Sequence, residues 1–289
     1  MEIAVFGANG QLGRCIRAIA DNYPQHKFLF TDIDDLDIAN YAEVADFVYN
    51  NYPKAFINCA AYTDVDMAER DKKMTTDANQ KGADNLAKLA AEHNIFLVHI
   101  STDYVYDGEH YKPYKETDSV HPRSVYARSK WKGEVAIRRS LCRAAIIRTA
   151  WLYSEYGTNF VKTMLKMGAE EQEINIIFDQ IGTPTYARDL AKAIMQIIAQ
   201  MEKIQEVETF HYSNEGVASW YDFAVEIMQL AKRNCKILPI STQQYPSLVK
   251  RPHYAVLSKQ KIKETFEMEI PHWRESLRRC IANLEAARV

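Results

Sequence analysis

The sequence predicts an α/β fold built on a doubly wound parallel sheet, and three observations carry that prediction. Short apolar runs alternate with amphipathic helical stretches through the first half of the chain. The runs lack polar alternation, which suits strands covered by helices on both faces. Each run ends in a small or polar cluster, and folds of this class bind ligands beyond the carboxyl ends of their strands.

Taken in order, residues 2–6 (EIAVF) form the first run, which breaks at Gly7 before a helical pattern from Leu12 to Ile19. Further runs at 28–30, 55–59, 95–100 and 144–147 end at Thr31-Asp32, Ala60-Ala61, Ser101-Thr102-Asp103 and Arg148-Thr149. Apolar spacing predicts helices over 41–50, 74–93, 125–140 and 158–171. After residue 150 the rhythm loosens. Helical patterns over 186–202, 219–233 and from 272 onward are separated by polar or proline-bearing stretches such as Gln243–Pro252. A sheet domain over 1–150, to which some later segments return, and a smaller α/β substrate-binding lobe over 151–289 are expected.

Composition narrows the function classes. With 289 residues, 47% of them hydrophobic and 26% charged, the chain can bury a sizeable core unaided. Its 36 basic and 38 acidic residues give a net charge of -2, so no domain-wide basic surface suggests nucleic acid. Five scattered cysteines and eight dispersed histidines form no pattern for a disulfide framework or a zinc site, and no metal is expected. The start, MEIAVFGANG, has no basic leader, and no run approaches the roughly 18 apolar residues of a membrane span. A cytoplasmic protein without membrane contact is the expectation.

Gly7-Ala-Asn9-Gly10-Gln11-Leu12-Gly13 lies between a predicted strand and a predicted helix. Glycines there permit a tight turn and a close approach to a pyrophosphate, which the helix N-terminus stabilises. A tight structural turn uses the same residues, but the strand-turn-helix context favours a dinucleotide and a Rossmann-like sheet. Asp32 closes the second strand, where a carboxylate accepts a hydrogen bond from an adenosine ribose hydroxyl and repels a 2′-phosphate. That leans toward NADH over NADPH. The competing reading is a solvated strand-end Asp, since Asp34, Asp35 and Asp37 follow.

Tyr126 and Lys130 stand four apart in SVYARSKWKGE, which places them on one helix face. A phenol with a pKa near 10 is a reluctant acid at neutral pH, and a neighbouring ammonium lowers that value. YxxxK alone is common on exposed helices. Thr102, at the end of the fourth predicted strand, changes its weight, because a strand-end hydroxyl can face the same carbonyl oxygen as Tyr126.

These motifs resemble the extended short-chain dehydrogenase/reductases, and within them the dTDP-4-dehydrorhamnose reductase family. The stretches FGANGQLG (6–13), NCAAYTDVDMAE (58–69), STDYVYDG (101–108), VYARSKWKGE (125–134), RTAWLY (148–153) and DQIGTPT (179–185) carry the resemblance. It implies NADH or NADPH as cofactor, a dTDP-sugar as substrate, and reduction of the sugar's C4 keto group. Thr102, Tyr126 and Lys130 would be catalytic. Gly7, Asn9, Gly10, Gln11, Leu12 and Gly13 would hold the pyrophosphate end, with Asp32, Asp37 and Ile38 near the adenosine. Ala60, Ala61, Tyr62 and Asn79 would also meet the cofactor, as would Tyr126 and Lys130. Thr102, Asp103, Tyr104 and Trp151 would border the sugar nucleotide, although Trp151 also reads as a core aromatic.

The sequence departs from the family pattern twice. Arg14-Cys15 stands where better-known members carry a Glu associated with a magnesium-bridged dimer, leaving monomer and homodimer both open. Tyr106 stands where Phe is usual. Three other functions compete. A dehydratase would place Asp-Glu after the Thr, whereas Asp103-Tyr104 follows here. Another nucleotide-sugar reductase or epimerase would share the fold. A non-catalytic regulatory subunit of the methionine adenosyltransferase type would keep the cleft without turnover.

Overall fold

A computed structural model describes residues 1–245 and 247–287. Six strands, β1 (Glu2–Phe6), β2 (Lys27–Thr31), β3 (Ala55–Asn58), β4 (Phe96–Thr102), β5 (Ala144–Thr149) and β6 (Val207–Tyr212), form one sheet. Every pairing in it is parallel, and the spatial order is β6-β5-β4-β3-β1-β2. Five of the strands coincide with the apolar runs. β6 does not, because Glu208, Thr209 and His211 interrupt the apolar pattern of this edge strand.

The longer helices are α1 (Gln11–Ile19), α2 (Tyr41–Asn51), α3 (Gly82–Glu92), α4 (Val125–Ser140), α5 (Phe160–Glu170), α6 (Ala187–Ala199), α7 (Trp220–Leu230), α8 (Gln260–Phe266) and α9 (Trp273–Ala286). Side-chain caps set several starts, among them Asn40 on α2, Ser124 on α4 and Ser219 with Asp222 on α7. The stretch expected as one helix over 74–93 is interrupted. A helical turn at Lys72–Thr76 enters a π-helical turn at Asp77–Lys81 before α3 begins.

Helices cover both faces of the sheet, as its unbroken apolar strands require. On one face Ile16 and Ile19 of α1 and Leu190 and Ile194 of α6 pack on Val5, Ile57 and Val98. On the other, Val44, Leu86 and Ile137 of α2, α3 and α4 pack on Phe6, Phe56 and Ile146. The later half of the chain thus supplies both a helix and an edge strand to the sheet layer. A separate core of Tyr153, Val161, Phe223, Ile227, Trp273 and Leu277 lies beneath a two-stranded parallel ladder of Glu173–Ile177 with Lys236–Ile240. Each large apolar side chain fully buried there contributes roughly 1.5–3 kcal/mol.

Strand order reverses between β1 and β3, the switch point at which such sheets open a crevice. Two glycines make the opening possible. Gly7 sits at φ +74°, and a Cβ there would lie 2.6 Å from Ala60 Cα. At Gly13 a Cβ would lie 2.4 Å from the Gly7 carbonyl oxygen and 2.6 Å from Ala8 Cα. Both obstructions are backbone and cannot swing aside. Gly13→Ala is therefore expected to cost about 1–3 kcal/mol through overpacking and to weaken NADH binding. Thermal unfolding and cofactor fluorescence titration measure the two effects.

Candidate active site

Above the carboxyl ends of β1, β2 and β3 lies a cleft of about 370 Å³, bordered by Gly7, Gly10, Asp32, Asp37, Ile38 and Ala60. Ala61 and Tyr62 border it too, as do Ile33 and Met74, two exposed apolar side chains absent from the sequence expectations. Asp32 closes the end of this cleft. Its Oδ2 accepts the Asn9 N–H at 2.7 Å and its Oδ1 the Ile33 N–H at 2.8 Å. The glycine cradle, the apolar walls and the carboxylate fit a dinucleotide. Gly13 lies behind the cradle, packed on Gly7, and Asn9 acts through its backbone on Asp32.

A second cavity of about 560 Å³ continues from Gly7, Gly10, Gln11 and Leu12 to the ends of β4 and β5. Thr102, Asp103, Tyr104, Tyr126, Lys130 and Trp151 all border it. Gln11 ties the two halves of the chain together, since its Oε1 accepts hydrogen bonds from Ser154 and Asn159. Two further walls, Trp220 and Arg251, escaped sequence reasoning. Trp220 sits within a helical pattern that reads as core, and Arg251 within a proline-bearing polar stretch. Neither neighbourhood carries a motif.

Helix α4 aims the catalytic pair. Tyr126 and Thr102 border the same cavity. Lys130 Nζ donates to the Ile100 carbonyl at 2.6 Å and lies 3.5 Å from His99 Nε2. Burial pushes the Tyr126 phenol up to about 12, while the Thr102 contact works in the opposite direction. Burial thus outweighs the downward tuning of Tyr126 expected from YxxxK spacing, and the ammonium is turned to the Ile100 carbonyl. Burial pulls Lys130 itself down to about 8, with Glu134 and Cys59 opposing.

Asn79 does not face either cleft. The π-helical turn carries its side chain inward, where Nδ2 donates to the Tyr62 carbonyl at 3.0 Å and Ser129 Oγ at 2.9 Å, and Oδ1 accepts the Tyr62 N–H. Asn79 therefore braces the Tyr62 loop against α4. Asp103 is buried beside Thr102, which donates to its Oδ1 at 3.0 Å, and its Oδ2 has no partner. Burial raises its carboxyl to about 7.

Trp151 adopts φ +46°, a left-handed backbone that bulky residues rarely tolerate. Its indole stacks on Trp220 at 3.6 Å and 11°. Gly182 of the DQIGTPT stretch leaves the slot for it, since a Cβ there would lie 2.7 Å from Trp151 Cε2. Strain of this kind persists where surrounding structure imposes it, commonly at ligand sites. Arg14, in the first turn of α1, lays its guanidinium 4.5 Å from the centre of the Tyr156 ring, and Cys15 is buried. Among the described residues no group of three or more His, Cys, Asp or Glu side chains is placed to hold a metal ion. None of their helices is long and apolar enough to cross a membrane.

The family described as the RmlD substrate binding domain matches residues 1–286. The chain belongs to this family. It is 37% identical over 295 residues to a dTDP-4-dehydrorhamnose reductase of Aggregatibacter actinomycetemcomitans, covering 98% of this chain and 99% of that one. Among solved structures it is similar to a dTDP-4-dehydrorhamnose reductase of Clostridium acetobutylicum, with TM-score 0.93 and 40% identity over 99% of this chain and 100% of that one. A Bacillus anthracis dTDP-4-dehydrorhamnose reductase in complex with NADP is similar with TM-score 0.92 and 35% identity, over 98% and 99% of the two chains. The family resemblance and the sheet architecture read from the sequence both hold.

Among the described residues, Asp32 is the one acidic side chain hydrogen-bonded to the glycine-rich turn, through Asn9. Asp32→Ser removes the charge that opposes a 2′-phosphate. The ratio of kcat/KM with NADPH to that with NADH is expected to rise about tenfold or more, a change of about 1.4 kcal/mol. Steady-state kinetics with both cofactors measures it.

Proposed function

We propose that this protein reduces the C4 keto group of dTDP-4-dehydro-L-rhamnose to the alcohol of dTDP-L-rhamnose, using NADH or NADPH. The observation that carries the reading is the convergence of Thr102, Tyr126 and Lys130 in a cavity that runs on from the glycine cradle and ends at Trp151 and Trp220. Residues 1–150 are assigned chiefly to the cofactor and 151–289 chiefly to the sugar nucleotide. The finer expectations are a cytoplasmic enzyme working as a monomer or homodimer.

When bound, the reduced nicotinamide supplies the hydride that the carbonyl carbon accepts. The chain's own residues handle the proton and the geometry. Tyr126 stays protonated through the neutral range, as its burial dictates. It can therefore donate its hydroxyl proton to the oxygen that gains charge, since an alkoxide is a far stronger base than a phenolate. Thr102 holds the same oxygen and orients the Tyr126 hydroxyl. Lys130, still largely an ammonium near neutral pH, offsets the negative charge left on Tyr126 and reaches the nicotinamide ribose. Trp151 and Trp220 wall the sugar and exclude water, which strengthens every electrostatic contact inside. Tyr104 stands in the place of the second carboxylate that water elimination requires, so reduction is favoured over dehydration.

Arg251 is, with Lys130, one of two cations among the described residues around the cavity, and its Nη2 lies 3.2 Å from Asp66 Oδ2. It is suited to the diphosphate of a sugar nucleotide. Arg251→Met is expected to raise KM for the dTDP-sugar about tenfold, with kcat changed far less, as loss of uniform binding requires.

Oxidation of NADH or NADPH, dependent on dTDP-4-dehydro-L-rhamnose and yielding dTDP-L-rhamnose, tests the function directly. No sugar-dependent oxidation, with cofactor bound, overturns it. Tyr126→Phe is expected to lower kcat by about two to four orders of magnitude, the usual contribution of a positioned acid, while NADH still binds. Near-native turnover in that variant would remove Tyr126 as the proton donor.

A further inference from the structure

Behind Thr102 and Lys130 lies a chain of buried polar groups that the reduction does not use directly. Glu134 follows Lys130 by one turn of α4 and is fully buried. Its Oε1 accepts from Ser101 Oγ at 2.6 Å and from Arg148 Nε at 2.9 Å, and its Oε2 from Arg148 Nη2 at 2.7 Å. Arg148, on β5, is itself buried, and its Nη1 donates to the Tyr106 hydroxyl at 2.7 Å. That hydroxyl lies 2.8 Å from His211 Nε2 on β6. Tyr106, where the resembled family usually has Phe, therefore gives the second arm of Arg148 a partner that a phenyl ring lacks.

A buried ion pair is not by itself evidence of stabilisation, because desolvating two charges offsets their attraction. Its placement here is more informative than its presence. The carboxylate touches the residue immediately before Thr102, and it belongs to the helix that carries Tyr126 and Lys130. We propose that Glu134 is a positioning residue for the reaction: gripped by Ser101 and by Arg148, its carboxylate ties the Ser101–Thr102 strand end to the helix that carries Tyr126 and Lys130. This inference rests on the reductase reading of the site.

The groups that face Lys130 come from four elements. Cys59 follows β3, and His99 and the Ile100 carbonyl lie on β4. Glu134 shares its helix, and Arg148 on β5 stands behind Glu134. Arg138 Nη2, one turn further on α4, lies 3.8 Å from Glu134 Oε2. Burial and the Lys130 charge hold His99 well below its ordinary value, and burial holds Cys59 as a thiol. Both are neutral near pH 7. Glu134 is the carboxylate in this set, and it acts on Lys130 against the burial that pulls the amine down to about 8. The sign follows directly. A lysine with a lowered pKa loses its proton as pH rises through that value, and removing Glu134 brings the loss to still lower pH.

The test compares wild type, Glu134→Gln and the double variant Glu134→Gln/Arg148→Met. The double variant removes the pair together, so no buried guanidinium is stranded if the single variant fails to fold. Two readouts are taken on each: the alkaline limb of kcat against pH, and the titration of the Lys130 amine by NMR of isotope-labelled lysine in the protein without cofactor. Both are expected to move down in Glu134→Gln, which leaves the Arg148 cation without its anion, and to move less in the double variant, where the cation is lost too, while kcat falls about tenfold or more in both because the strand-end tie is gone. A merely structural pair would lower stability and leave both midpoints in place. A wild-type kcat in the folded double variant overturns the proposal. If wild type itself shows no sugar-dependent turnover, the reductase reading fails, while the amine titration still decides the role of Glu134.

Discussion

The active site depends on how closely α4 can lie against its neighbours. A Cβ at Gly133 would fall 2.4 Å from the Asn79 carbonyl oxygen, so only glycine permits this approach. The contact is completed by polar ties on either side. Ser129 accepts from Asn79, Lys130 donates to the Ile100 carbonyl, and Glu134 joins Ser101 and Arg148. Lengthening the gap by the width of a methyl group would strain all of them and carry Tyr126 away from Thr102. Displacements of about 1 Å are enough to cost a catalytic geometry dearly.

Burial then sets the charge states. Tyr126, Lys130 and Asp103 border one cavity, yet each is displaced from its ordinary value in the direction that favours its neutral form. The consequences differ by group. Tyr126 is kept firmly as a phenol, Lys130 stays mostly an ammonium near pH 7 but loses its proton above about 8, and Asp103 is left near the physiological range. Separating the protonation behaviour of adjacent groups by environment is how a site assigns acid, base and electrostatic roles. The same low-dielectric setting makes the Glu134 carboxylate matter to Lys130, where on a solvated helix the effect would be small.

The sugar-side wall is built on a different principle. Trp151 occupies a strained backbone conformation, and the loss is offset by its stack on Trp220 and by the slot over Gly182. The RTAWLY and DQIGTPT stretches, distant in sequence, are two halves of one indole site. The short parallel ladder of Leu152–Tyr153 with Thr185–Tyr186 holds those halves in register.

Local pattern alone determined much of this protein. Five sheet strands, the glycine turn, α4 and the Thr102–Tyr126–Lys130 set were legible because each is encoded within a few neighbouring residues by periodicity, turn chemistry or helix spacing. Tertiary structure decided what depends on contacts across the chain. It placed Val207–Tyr212 at the sheet edge although its polar residues hide the strand pattern. It turned Asn79 inward through a π-helical turn that no periodicity announces, and it brought Trp220 and Arg251 to the cavity from stretches without motifs. It also buried Tyr126 deeply enough for burial to outweigh the expected tuning. Helix spacing fixes which residues share a face, but the depth to which a phenol is buried, and the oxygen to which an ammonium turns, exist only once the sheet, α4 and the later lobe have closed together.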